Sequence, residues 1–262
     1  MTGLTAVISG GSGDIGRATA WLFARCGASV VLTGRKIEKI EPVVEALTRN
    51  GMKATGEVLN VRDRASVDAF WDRQWQNGGA DILINSAGGQ FPQAALDFTE
   101  KGWNTVIDTN LNGTWNMMQS AARKWRDAGR GGSIVNITVV TRNSLHGVAH
   151  TVAARAGVEA LSAAVSVEWA PIQVRVNCIA PGLIETEGWK VYPPEARAEY
   201  YTGNPMMRAG TTWDIAEACA YLSGPSGRFI TGEVLTVDGG GRQWGEVWTT
   251  GKPAYFRDGG TK

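Results

Sequence analysis

The sequence has no uninterrupted apolar run of membrane-spanning length, so no membrane partner is expected of a helical span. Cysteine is scarce. Cys26, Cys178 and Cys219 are scattered, odd in number, and lack a CxxC pair or a histidine at metal-ligand spacing. That pattern argues against a disulfide framework and against a metal site, and it predicts three reduced core thiols. An excess of charge of either sign is also missing: 26 Lys and Arg face 25 Asp and Glu, for a net charge of +1. Nothing in this balance points to nucleic acid or to an anionic membrane. No internal repeat, low-complexity linker or charge block interrupts the chain. A strand-like run, Leu4 to Ile8, starts almost at once and leaves no room for a charged leader with a cleavage site, so a cytoplasmic location is expected.

What is present is an ample core. Hydrophobic residues make up 43% of the 262 and charged residues 19%, the balance of a packed globular protein, and doubly wound folds reach this length as a single domain over 1–262. Short apolar β-branched runs recur at Ala6–Ile8, Ser29–Leu32, Thr55–Leu59, Ile82–Ile84, Ser133–Ile137, Val174–Cys178 and Val234–Val237. Between them lie segments with apolar residues at helical spacing, among them Ile15–Cys26, Ile37–Leu47 and Ala153–Trp169. Continuous apolar strands alternating with helices predict an α/β fold, a doubly wound parallel sheet of the Rossmann type, buried on both faces. Ligands are then expected beyond the carboxyl ends of the strands. The stretch Gly188–Met207, inside a candidate insertion over 186–210, breaks the rhythm with Pro193-Pro194, Tyr200-Tyr201 and Met206-Met207, and it is expected to cover a substrate. The residues over 241–262 form a polar, aromatic tail. The eleven tryptophans are spaced mostly as helix-packing surfaces.

After the first strand comes Ser9-Gly10-Gly11-Ser12-Gly13-Asp14-Ile15-Gly16, leading into a helix. Glycines let the backbone approach a pyrophosphate, and the free N–H groups at the helix start stabilise its charge. The second strand ends in Thr33-Gly34-Arg35-Lys36, with no acid where an NAD enzyme holds the ribose 2′-hydroxyl. Arg35 offers a fork suited to a 2′-phosphate and Lys36 a second cation, so NADP(H) is the expected cofactor. The alternative is that both merely solvate a helix start.

Taken in order, these and later segments resemble the short-chain dehydrogenase/reductase family. Ser9 to Gly16 resembles its TGxxxGxG turn, with Asp14 at the middle glycine. Asn85-Ser86-Ala87-Gly88 resembles its NNAG. Asn60-Val61 takes the place of the Asp-Val that brackets adenine, and Pro181-Gly182, with Ile184 and Thr186, resembles the loop that meets the nicotinamide. Asp238-Gly239-Gly240 matches the closing strand. The resemblance implies a homo-oligomer, a tetramer built on the segments Asn110–Ala128 and Ala153–Trp169. It places the catalytic asparagine at Asn110.

The family also needs a serine, and a tyrosine four residues before a lysine. Every tyrosine here lies at Tyr192 or later, and no lysine occurs between Lys124 and Lys190. Aligning Ala153-Ala154-Arg155-Ala156-Gly157-Val158 with the family's AAKAGV puts Thr151 at the tyrosine and Arg155 at the lysine, while the serine falls on Thr138 or Val139. Thr151 has no accessible pKa near neutrality, and Arg155 holds a nicotinamide ribose but is no acid. Reduction of a polarised C=C bond asks less, since neutral donors suffice for the enolate oxygen and water can protonate the carbon. The pattern resembles the peroxisomal trans-2-enoyl-CoA and 2,4-dienoyl-CoA reductases, which also depart from the Tyr/Lys pair. The shared segments include Gly88-Gly89-Gln90-Phe91, Lys101-Gly102-Trp103, Gly131 to Ile137 and Ala149-His150.

The expected catalytic set is therefore Asn110, Thr138, His150, Thr151 and Arg155. Thr138 is expected to donate to an enolate oxygen and His150 to relay a proton or else pack against the sheet, with His146 facing solvent. Tyr200, Tyr201, Met206 and Met207 are expected to line an apolar cover. Three readings stay open: an NADPH-dependent reductase of an acyl-CoA-like enoyl substrate, a carbonyl/alcohol oxidoreductase using His150 as its acid, and a non-catalytic NADP-binding protein.

Overall fold

A computed structural model describes residues 1–141, 145–245, 248, 249 and 253. Its centre is one seven-stranded sheet: β1 (Thr5–Ser9), β2 (Ser29–Gly34), β3 (Ala54–Val58), β4 (Ile82–Asn85), β5 (Gly132–Ile137), β6 (Val174–Pro181) and β7 (Val234–Val237). The order across the sheet is β3-β2-β1-β4-β5-β6-β7, and every neighbouring pair is parallel. The helices are α1 (Asp14–Arg25), α2 (Ile37–Arg49), α3 (Arg64–Gln76), α4 (Glu100–Ile107), α5 (Gly113–Asp127), α6 (Ala149–Glu168), α7 (Pro194–Ala198) and α8 (Thr212–Ser223). All seven expected strands occur within a few residues of their expected bounds.

The two-sided burial follows from the pleat, which sends alternate side chains to opposite faces. Ile8, Leu32, Ile84, Val135, Ile137 and Ile179 pack with Phe23 of α1, Ile40 and Leu47 of α2 and Ile215 and Leu222 of α8. Their neighbours Val7, Val31, Leu83, Ile134 and Val176 turn the other way, onto Phe70 and Trp71 of α3, Met117 and Trp125 of α5 and Val165 of α6. Trp71, Trp75 and Trp125 form one aromatic group with centroids 6.1–6.4 Å apart, and the Trp125 Nε1–H donates to Ala80 O at 2.7 Å. Arg175 in β6 ties the far end together, giving Nη1 to the carbonyls of Leu222, Gly227 and Ile230. Cys178 and Cys219 are buried as expected, and burial pushes each thiol up to about 12. Cys26 corrects the expectation: it follows the last residue of α1 and is exposed, because the helix has already turned its apolar stripe away.

Among the described residues no helix is long and apolar enough to cross a membrane. Most of the tail after Gly245, and residues 142–144 of the loop after β5, lie outside the described residues.

Candidate active site

The strand order reverses between β1 and β4, and the crevice this creates lies at the carboxyl ends of the strands. Gly10 makes it possible. Its φ is +68°, and a Cβ there would stand 2.7 Å from Ala87 N, so only glycine lets the two strand-end loops touch. A groove of about 280 Å³ follows, lined by Gly10, Ser12, Gly13, Thr33, Arg35, Lys36, Asn60, Val61, Ala87 and Gly88, all expected there. Lys39 and Arg62 also line it, two cations that the sequence reading passed over. Among the described residues no carboxylate lines this groove. The Thr33 hydroxyl is buried in its wall with no protein partner among the described residues. Glycine backbone at a helix start, a spare buried hydroxyl and four cations fit a phosphorylated dinucleotide.

Four residues expected in contact with that dinucleotide instead stand behind the groove. Ser9 and Asn85 are buried; Ala87 N donates to Ser9 Oγ at 3.2 Å, and Asn85 Nδ2 donates to Asn136 Oδ1 at 2.8 Å. Gly16 is buried in the first turn of α1. Asp14 uses one carboxylate oxygen on Arg17 and the other on the backbone N–H of Glu187, both at 2.7 Å. That anchors the inserted segment to the phosphate turn and gives a physical use for an acid where the family has glycine.

A cavity of about 370 Å³ continues from the groove, sharing Ser86 and Gly88 with it. It brings together Ile15, Thr138, Thr151, Arg155, Pro181, Gly182, Ile184 and Thr186, as expected. Arg155, on α6, has a buried guanidinium whose Nη1 donates to Ile137 O at 2.7 Å. Burial lowers its pKa to about 10, so it remains a cation at neutral pH. Among the described residues no carboxylate pairs with it. Gly88 makes room for it, since a Cβ there would sit 2.0 Å from Arg155 Nη2.

Asn110 lies in a π-helical turn, Asp108–Asn112, buried beneath the cavity rather than lining it. Its amide clamps Gly89: Gly89 N donates to Oδ1 at 3.1 Å, and Nδ2 donates to Gly89 O at 3.0 Å. A longer contact, 3.4 Å, runs from Nδ2 to Thr151 Oγ1.

Two expected donors are placed differently from the sequence reading. The Thr138 hydroxyl is turned towards α6, 2.7 Å from Glu159 Oε1 and 3.1 Å from Ile179 O, so its single proton is already engaged. Burial raises the Glu159 pKa. His150 is fully buried outside the cavity, its ring centroid 4.6 Å from that of Phe91 and 4.4 Å from that of Phe98. Burial pushes its pKa down, and Nδ1 accepts the Thr151 N–H at 2.7 Å. Its surroundings are those of a packed helix-start histidine, while His146 is exposed as expected.

The inserted segment contributes Trp189, Val191, Tyr192 and Tyr200 to the cavity wall. Tyr200 was expected there; Tyr201 and Met206 are instead exposed, and Met207 takes a left-handed φ of +53° at the turn that ends the segment.

A family model described as Enoyl-(Acyl carrier protein) reductase matches residues 11–241. The chain belongs to the short-chain dehydrogenase/reductase family. A peroxisomal 2,4-dienoyl-CoA reductase of Arabidopsis thaliana is 36% identical, over 92% of this chain and 85% of that protein. A 3-oxoacyl-(acyl-carrier-protein) reductase of Chlamydia muridarum is 35% identical, over 90% of this chain and 96% of that one. The crystal structure of a gluconate 5-dehydrogenase from Burkholderia cenocepacia, in complex with NADP and tartrate, has a TM-score of 0.88 and 29% identity, covering 93% of this chain and 97% of its own. This member of the family is accordingly an oxidoreductase with a nicotinamide cofactor. Reductases of C=C and of C=O bonds stand at nearly the same identity to it, so the reaction has to be argued from the site.

Thr151 and Arg155 are the residues that the sequence resemblance aligns with the family's tyrosine and lysine. Both side chains reach the cavity, and Val139, the other serine position, brings no donor to it.

Proposed function

We propose that this short-chain dehydrogenase/reductase reduces an α,β-unsaturated (enoyl) acyl thioester, a CoA-like small molecule, with NADPH. One observation carries the reading of the reaction. Among the described residues, the titratable side chains lining the reaction cavity are Arg155, at about 10, Tyr192, raised by burial, and Tyr200, at about 12. None is tuned towards neutrality, where a general acid for carbonyl reduction works best. His150, the acid of the carbonyl alternative, lies outside the cavity, and burial lowers its pKa. Neutral donors and a fixed cation serve an enolate oxygen without giving up a proton.

The NADPH assignment is supported by Arg35, Lys36, Lys39 and Arg62 around a groove with no acid in its wall. A bound reduced nicotinamide supplies the hydride. The protein's part is to hold it: Arg155 presents a buried, unneutralised charge where the two cavities meet, suited to ribose and phosphate oxygens, and Asn110 fixes the Gly88-Gly89 backbone beside it. The retained cation and clamp argue against a purely non-catalytic binding protein.

Incubation of the purified protein with a crotonyl thioester and NADPH deuterated at the transferring position tests the reading. Deuterium at C3 of a butanoyl product is expected; NADPH oxidation without that product, or none at all, overturns it.

A further inference from the structure

We propose that Tyr192, presented over the cavity by the inserted segment, is the hydrogen-bond donor that meets the substrate's carbonyl oxygen in place of the tyrosine absent from α6. The proposal rests on the acyl thioester reading above. Tyr192 lines the same cavity as Thr151 and Arg155, although it lies 41 and 37 residues further along the chain. Its phenol oxygen accepts a hydrogen bond from Gln90 Nε2. Because Gln90 is the donor in that contact, the phenol's own proton stays free for a second partner, and the ring orientation is fixed. Gln90 is itself held in place, since both backbone groups of the preceding residue, Gly89, are bound by Asn110. An unbroken chain of contacts, Asn110 to Gly89 to Gln90 to Tyr192, thus fastens the insertion to the loop after β4. Of the other hydroxyls lining the cavity, that of Thr138 is engaged by Glu159 and that of Thr151 lies 3.4 Å from Asn110 Nδ2, while Ser86, Thr186 and Tyr200 also contribute hydroxyls to the wall. Burial also raises the Tyr192 pKa, which keeps the phenol protonated throughout the working range.

In the reaction a hydride adds to the β-carbon of the enoyl thioester, and the C=C electron pair moves towards the carbonyl, leaving enolate charge on its oxygen. The Tyr192 O–H donates to that oxygen without losing its proton. Water then protonates the α-carbon, so one hydride and one proton are added in all and the phenol ends unchanged. Tyr192 touches the reacting group and is a catalytic residue; Gln90 is a positioning residue.

Tyr192→Phe removes the hydroxyl while keeping the ring against Tyr200, whose centroid is 5.9 Å away. Steady-state kinetics with crotonyl and acetoacetyl thioesters should show kcat falling by about 10²–10³-fold, with KM changed less than about threefold. Calorimetric binding of a butanoyl thioester to the cofactor-free protein should weaken by about two- to tenfold. Gln90→Leu should lower kcat in the wild type and cost nothing further in the Tyr192→Phe background, a coupling that a merely structural role would not produce. A Tyr192→Phe enzyme with kcat within about threefold of wild type overturns the proposal. Wild-type turnover of acetoacetyl but not crotonyl thioester sinks the enoyl reading alone, and the same substitution on acetoacetyl thioester still decides the donor. A wild type inert towards both overturns the two together.

Discussion

Replacing Gly88 with alanine isolates the contact on which the site depends most. Gly88 has no left-handed φ, so alanine meets no backbone strain there. Its Cβ would, however, lie 2.0 Å from Arg155 Nη2, 3.2 Å from Arg155 Cζ and 3.1 Å from Asn110 Oδ1. Reaching ordinary contact means moving the guanidinium by roughly 1.5 Å. That displacement breaks its 2.7 Å bond to Ile137 O. A charge-assisted hydrogen bond is worth ~1.5–3 kcal/mol and overpacking a closed site costs ~1–3 kcal/mol. A total of about 2.5–6 kcal/mol should lower Tm by about 5–24 °C in a chain of this size. Thermal unfolding followed by circular dichroism, with NADPH titration by fluorescence on the same samples, reads both the stability cost and the loss of a positioned cation. The decisive comparison uses Arg155→Ala as background, where Gly88→Ala should cost clearly less, because its nearest clash partner is gone and only the 3.1 Å approach to Asn110 Oδ1 remains. Equal costs in the two backgrounds, or no cost in the wild type, would refute the claim that Gly88 exists to admit Arg155.

Two other outcomes follow from the same geometry. Arg35→Ala should weaken NADPH by at least about tenfold while hardly changing NADH, since one bidentate phosphate contact is worth ~1.5–3 kcal/mol; equal wild-type affinities for the two cofactors in a titration would remove the basis for NADPH. Glu159 has a folded-state pKa raised by burial above its ordinary 4.5, so its contribution to stability is fully present below that value and is lost as pH rises through the raised one. Glu159→Gln should therefore gain Tm over wild type at about pH 8 and little at about pH 5, and a gain independent of pH would contradict the assignment.

The sheet was legible because burying a strand on both faces demands a continuous apolar run, and seven such runs stand between helix-length segments. The phosphate turn was legible for a similar reason: Gly10, Gly13 and the helix start are consecutive, and their chemistry is local. What escaped was contact across sequence distance. Gln90 and Tyr192 are 102 residues apart, and no local pattern marks their pairing. The insertion was expected to bring Tyr200 and Tyr201 over the substrate; Tyr200 does line the cavity, but no local pattern marked Tyr192, which lines it too. Thr138 was read correctly as a cavity residue but not as the partner of Glu159, which lies one turn beyond Arg155 on α6 and belongs to no motif. His150 attracted a proton-relay role by its neighbour Thr151, yet adjacent residues on a helix point in directions about 100° apart. One faces the cavity and the other faces Phe91 and Phe98. A signal for Lys39 was available, since it lies on the first turn of α2 beyond Arg35 and Lys36.

The measurement that bears most directly on the account is stopped-flow consumption of NADPH by the wild type with two matched substrates, a crotonyl and an acetoacetyl thioester. Positioned general acid catalysis is worth ~10²–10⁴-fold, and a cavity without an acid tuned to neutrality should forfeit it for the ketone far more than for the C=C bond. The account predicts enoyl reduction faster by at least about 10²-fold. Ketone reduction equal to it or faster would contradict the account and require an acid tuned to neutrality that is not among the described residues of the cavity wall.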